Sequence, residues 1–136
     1  QLIADIGKSK GSIGKIDLVK MLEAINNRIE KLLDKDHMIG HSYFLDISDI
    51  IGLKDAFRNK IIPLLEEYFY GDYGKIGLVL GENFVKVKYK DKKDFSFAKF
   101  GLIDRVIIDD LSERKIFEIT DAESWDESCF ISIYQS

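Results

Sequence analysis

Asp36-His37-Met38-Ile39-Gly40-His41-Ser42-Tyr43-Phe44 stands between two stretches whose apolar residues recur at helical spacing. Upstream, Leu18, Leu22, Ile25, Ile29, Leu32 and Leu33 follow steps of three and four, which gathers them on one stripe of a helix. Asp17 is placed to accept the first free N–H groups, and Ile16 and Met21 have the spacing of a hydrophobic staple, so a helix of about five turns is expected from Asp17. Downstream, from near Leu53, a second stripe is formed by Ala56, Phe57, Ile61, Leu64, Leu65 and Tyr68. Pro63 interrupts it. Proline has no N–H and crowds the carbonyl of Asn59, so a kink or a break into two helices is expected, with Gly71 as the stop. The segment from Asp36 to Phe44, which holds both histidines of the chain, therefore reads as a short turn between helices, anchored in the core by Ile39, Tyr43 and Phe44.

Beyond Asp72 the period changes from helical to alternating. Ile76–Leu80 is a short apolar run, Val85, Val87 and Tyr89 alternate with lysines, and Arg105–Ile108, Lys115–Ile119 and Cys129–Tyr134 continue the strand signal. Asp109–Arg114 then fits a hairpin loop. The fold class expected is α+β, helices first and a small antiparallel sheet after them. Residues 1–15, rich in Gly, Ser and Lys, read as a linker, 16–75 as a helical subdomain, and 76–136 as a small β-rich C-terminal subdomain packed on it.

The chain has 136 residues, enough for one domain or two small subdomains. No run approaches the roughly 18 apolar residues that suggest a membrane span. A net charge of -4 argues against a protein built mainly to neutralise phosphates. The single cysteine, Cys129, cannot form an internal disulfide, which fits a reducing cytoplasm. Because Gln1 leads the sequence and nothing resembles a signal peptide, an excised internal fragment is expected.

Three strings carry a family resemblance. Leu22–Leu33 has the form Leu-x-x-Ile-Asn-x-Arg-Ile-Glu-x-Leu-Leu, Asp36–Phe44 the form Asp-His-x-Ile-Gly-His-Ser-Tyr-Phe, and Ile61–Phe69 reads Ile-Ile-Pro-Leu-Leu-Glu-Glu-Tyr-Phe. Together they resemble the helical lid that follows the nucleotide-binding core in AAA+ motors of the McrB type, the GTP-using subunits of modification-dependent restriction systems. The resemblance covers roughly residues 13–81 and implies an AAA+-lid-like helical subdomain. It implies GTP or ATP with Mg2+ as cofactor of a full-length parent and none in this fragment, which is inactive alone. It also implies a cytoplasmic ring oligomer of the chain with itself, a McrC-like nuclease subunit as partner, and DNA bound through other domains. Such lids place a polar residue over the nucleotide, often an arginine. None lies within Ile39–Asp46, so the resemblance assigns that role to His41, Ser42 or Tyr43, and assigns Arg28 to a subunit interface. An imidazole would act weakly on phosphates, being mostly uncharged near neutral pH.

Other constellations invite chemistry and fail on spacing. His37 and His41 can share a metal only across helical backbone, which Gly40 disfavours, so no metal site is assigned. Glu66 and Glu67 diverge by about 100° on a helix. Gly7-Lys8-Ser9 imitates the end of a phosphate-binding loop, but Leu2 occupies the position of its first glycine, and Gly14-Lys15 is followed by Ile16 where Ser or Thr is needed. Asp104 with Glu113-Arg114-Lys115 imitates a nuclease signature within one chain element. No catalytic residue is assigned. Glu23, Asn26, Asn27, Glu30 and Lys31 read as the solvated face of the first helix. The alternative to a motor lid is a binding module that holds DNA or a partner protein through the Lys86–Lys90 face. Alternation there puts Tyr89 opposite the lysines, and edge-strand protection also explains them.

Overall fold

The computed structural model describes residues 11–88 and 97–135. Gly7-Lys8-Ser9, Tyr89 and Lys90 lie outside the described residues. Ser12–Ile13 (β1) and Ile16–Asp17 (β2) pair antiparallel, Ile13 opposite Ile16, through a turn in which Gly14 has φ +55°. Residues 12–13, expected to belong to the linker, are thus a strand that buries Ile13. Leu18–Leu32 (α1) follows directly, with the Asp17 carboxylate accepting from the N–H of Lys20. Its 15 residues make about four turns rather than five, because Leu33 leaves helical geometry. Leu18, Leu22, Ile25 and Ile29 are buried as the stripe required.

Two single turns, Lys35–His37 and His41–Phe44, lead to Ile50–Ala56 (α2), which begins earlier than Leu53 because Asp49 caps it through the N–H of Gly52. The interruption at Pro63 is resolved without a break. Residues Phe57–Ile61 widen into a π-turn, in which the N–H of Ile62 reaches back five residues to Phe57, and the chain continues as Ile62–Tyr68 (α3). A wider turn relieves the crowding that proline imposes on an α-helical carbonyl. At the helix end the N–H of Gly71 bonds to the Glu66 carbonyl at 2.8 Å, the mark of a Schellman cap. Its first left-handed residue is Tyr70 (φ +54°), ahead of the expected Gly71 (φ +75°).

Four segments differ from the strand or hairpin loop expected of them. Ile76–Leu80 lies in Tyr73–Leu80 (α4), Arg105–Ile108 and Asp109–Glu113 belong to Arg105–Glu113 (α5) rather than to a strand and a hairpin loop, and Cys129–Ile131 falls in Glu127–Ile131 (α6). A short apolar run suits a strand or a buried helix equally, and a capping aspartate decides. Asp72 accepts from Lys75, Asp104 from Val106 and Asp126 from Cys129. The remaining strands, Val85–Val87 (β3) and Phe117–Ile119 (β4), form the small antiparallel sheet, with Val85 opposite Ile119 and Lys86 opposite Glu118. The fold is therefore α+β, helices followed by a two-stranded sheet.

One buried cluster runs from Ile13 to Ile133. Its centre is aromatic: Phe57 lies 5.5 Å from Phe84 and 5.0 Å from Phe130, and Phe84 lies 5.1 Å from Trp125. The C-terminal segment also reaches the first hairpin, since the hydroxyl of Tyr134 accepts from the N–H of Asp17 at 2.8 Å and the Glu127 carboxylate from that of Lys15 at 3.1 Å. By contrast α5 contributes no buried residue.

Candidate functional site

The turn between α1 and α2 is positioned by one buried amide. Asn26, 8% exposed, donates from Nδ2 to the carbonyl of Ile39 at 3.0 Å, and its Oδ1 accepts from the N–H of the same residue at 2.6 Å. A side chain that meets both backbone groups of one residue replaces a strand partner and fixes the turn against α1. Asn26 is therefore not on the solvated face expected of it. The signal was its spacing, four residues after Leu22 and three before Ile29, on the flank of the apolar stripe. On either side of this bracket, Ile39 and Phe44 are buried.

His37 is held by Asp34, whose Oδ1 lies 2.6 Å from Nδ1 and also accepts the His37 N–H at 3.0 Å. Its ring meets Tyr68 edge-on at 5.0 Å. Asp34 lies below the usual carboxylate range, chiefly because of this side-chain hydrogen bond, with desolvation opposing it. Burial pushes the Tyr68 hydroxyl up, helped by Tyr43, Glu67 and Asp34. His37 is thus engaged locally.

His41, Ser42 and Tyr43 form the single turn that follows Gly40. His41 is half-buried and Ser42 exposed, while Tyr43 packs against the core. His41 lines a groove of about 200 Å³ between α1 and the turn, together with Val19, Leu22, Glu23, Asn27 and Met38. Arg28, on α1, donates from Nη1 to the carbonyl of Val79 at 2.7 Å, a cation at the C-terminal end of α4 that ties the two helices together.

Elsewhere the other constellations are occupied by structure. The Tyr73 hydroxyl donates to the Glu66 carboxylate, which raises the tyrosine, whereas Glu67 is exposed. Gly14-Lys15 is a hairpin turn whose Lys15 N–H meets the chain's own Glu127. Asp104 and Glu113 stand at opposite ends of α5, so they do not converge. Lys86 faces Glu118 at 3.8 Å, which offsets part of the charge on the lysine face. Among the described residues no helix is long and apolar enough to cross a membrane.

Residues 17–77, which hold the bracketed turn and its flanking helices, match the family model for McrB, alpha-helical lid domain. This segment is similar to the McrB-type AAA+ lid. The match opens on the Asp17 cap and closes inside α4, so the matched segment holds α1, the Asn26 bracket, the His41 turn and the π-turn. It spans a little under half of the chain. No curated protein matches the chain. The core does not respect the lid boundary, since Phe84, Trp125, Phe130 and Ile133 complete it from beyond residue 77.

Proposed function

We propose that this chain is the lid and tail of a McrB-like AAA+ motor in a DNA restriction system, closing on GTP or ATP with Mg2+ held by a core domain of the full-length protein. The family match over residues 17–77 carries this reading. The Asn26 bracket supports it physically, because it holds the backbone beside His41 rigidly at the mouth of a groove, as a contact that reports on bound nucleotide requires. In this role His41, Ser42 and Tyr43 face the nucleotide and act by hydrogen bonding. The chain alone assists binding and assembly without turning nucleotide over. Arg28, through guanidinium N–H groups not held by Val79, contacts a neighbouring copy in a ring, and a McrC-like nuclease subunit completes the system.

The test pairs two measurements. His41→Ala is expected to leave the melting temperature of the 136-residue chain within about 2 °C, as a half-buried polar side chain with no hydrogen-bond partner among the described residues should, and to slow steady-state hydrolysis by the full-length protein at least severalfold. Tyr43→Phe, which keeps the ring, controls for packing. A destabilised chain with normal hydrolysis per folded molecule overturns the assignment of this turn to nucleotide.

A further inference from the structure

The groove beside His41 has a charge pattern that distinguishes the two halves of a nucleotide. Its lining includes one carboxylate, Glu23, and no lysine or arginine. Phosphates placed there would meet a negative charge without a compensating cation, and the repulsion would grow as closure excluded water. Val19, Leu22 and Met38, the last 43% exposed, offer instead an apolar surface of the kind that suits a flat ring. At about 200 Å³ the groove is smaller than the roughly 300 Å³ at which pockets for whole drug-sized ligands begin, so it suits a part of a nucleotide.

The polar groups agree. Glu23 and Asn27 are one helical turn apart on α1 and so lie on the same side of it. Neither they nor His41 has a hydrogen-bond or ion-pair partner among the described residues, whereas Asn26, between them in sequence, is bonded through both its amide nitrogen and its oxygen to Ile39. Resting on the reading above that this turn faces nucleotide, we infer that the groove takes the nucleobase, with the Glu23 carboxylate accepting hydrogen bonds from the N–H edge of the base and Asn27 and His41 beside it. That edge is the adjacent ring N–H and amine of guanine or the amine of adenine, and both donate to a carboxylate.

Glu23→Gln in the full-length protein separates the possibilities by sign. Affinities are measured for GTP, ITP and ATP, with inorganic tripolyphosphate as a competitor that has no base. Loss of charge-assisted hydrogen bonds is expected to weaken the recognised nucleotide about tenfold and to leave tripolyphosphate unchanged. If the base is guanine, the advantage of GTP over ITP, which lacks the amine, shrinks in the variant; if it is adenine, only ATP weakens. Asn27→Ala should weaken the same nucleotide. Tighter binding of nucleotide and tripolyphosphate on removing the carboxylate overturns the inference, because it places phosphates in the groove. Unchanged affinities in both variants, with His41→Ala still slowing hydrolysis, overturn the base contact and leave the proposed function standing. If His41→Ala is silent as well, both fall.

Discussion

Asn26 is the residue on which the turn depends. Replacing it with Leu fills the space but strands the N–H and carbonyl of Ile39 in a buried position, at about 1–3 kcal/mol for each group left unpaired. Thermal melts should show a loss of several degrees, far more than Asn27→Leu one position along. Asp34 makes a different prediction, in pH. Its folded-state pKa is depressed below the ordinary aspartate value by the His37 hydrogen bond, so its contribution is present above that ordinary value and is lost as pH falls through the lower folded pKa. Asp34→Asn should therefore flatten the decline of melting temperature below about pH 4 and lower stability at pH 7. A variant whose acid profile parallels the parent's would show that the His37 contact does not couple to folding. Asn26 also marks a limit of reading sequence. A polar residue on the flank of an apolar stripe is solvated in most helices, and the backbone groups that make this one buried come from a segment thirteen residues away.

At the scale of elements, sequence periodicity located α1 and the run through α2 and α3 because each spans several turns, long enough for a period of 3.6 to declare itself. It failed for α4, α5 and α6, of eight, nine and five residues, where three or four apolar residues cannot distinguish a helix from a strand. The missing information was nevertheless written locally. Asp17, Asp34, Asp49, Asp72, Asp104, Asp121 and Asp126 each stand at the N-cap of a helix or single turn and accept a backbone N–H from two or three residues on. A carboxylate at that position satisfies an N–H that a helix leaves free, so the recurring aspartate was a better guide to the short helices than their apolar pattern. The opposite end of an element supplies a prediction. Tyr70 takes left-handed geometry at the end of α3 with its side chain 95% exposed, so its ring gives little burial in return for the strain. Tyr70→Gly should raise stability by up to about 1 kcal/mol, the relief of a Cβ in that region less the greater freedom of glycine in the unfolded chain. Chemical denaturation with an unchanged m-value is the check, and a loss of stability would show that the ring has a structural contact of weight.

For the whole molecule, the candidate site and the helical half of the core were legible, and the closure of the core from the C-terminal segment was not. The histidine turn and its flanking helices could be found from three strings of residues, but nothing in Trp125 or Phe130 announces that they close a cluster around Phe57, more than sixty residues earlier. That closure predicts an asymmetry between deletions. A chain ending at Lys115 loses β4, Trp125 and Phe130, and should show no cooperative melt, although the whole segment similar to the McrB lid is still present. Replacing residues 98–114 by a short Gly/Ser linker removes α5 and should shift the melting temperature by only a few degrees, because that helix buries nothing. Equal damage from the two deletions would refute the single-core description. The contacts of Tyr134 with Asp17 and of Glu127 with Lys15 have a consequence in time as well as in space. A ribosome adding about 5–20 residues per second makes the first hairpin and α1 several seconds or more before it makes the residues that cover them. During that interval Ile13, Ile16 and Leu18 have no final partner, so the nascent chain should be most susceptible to protease and to chaperone capture until residues 125–134 have left the exit tunnel.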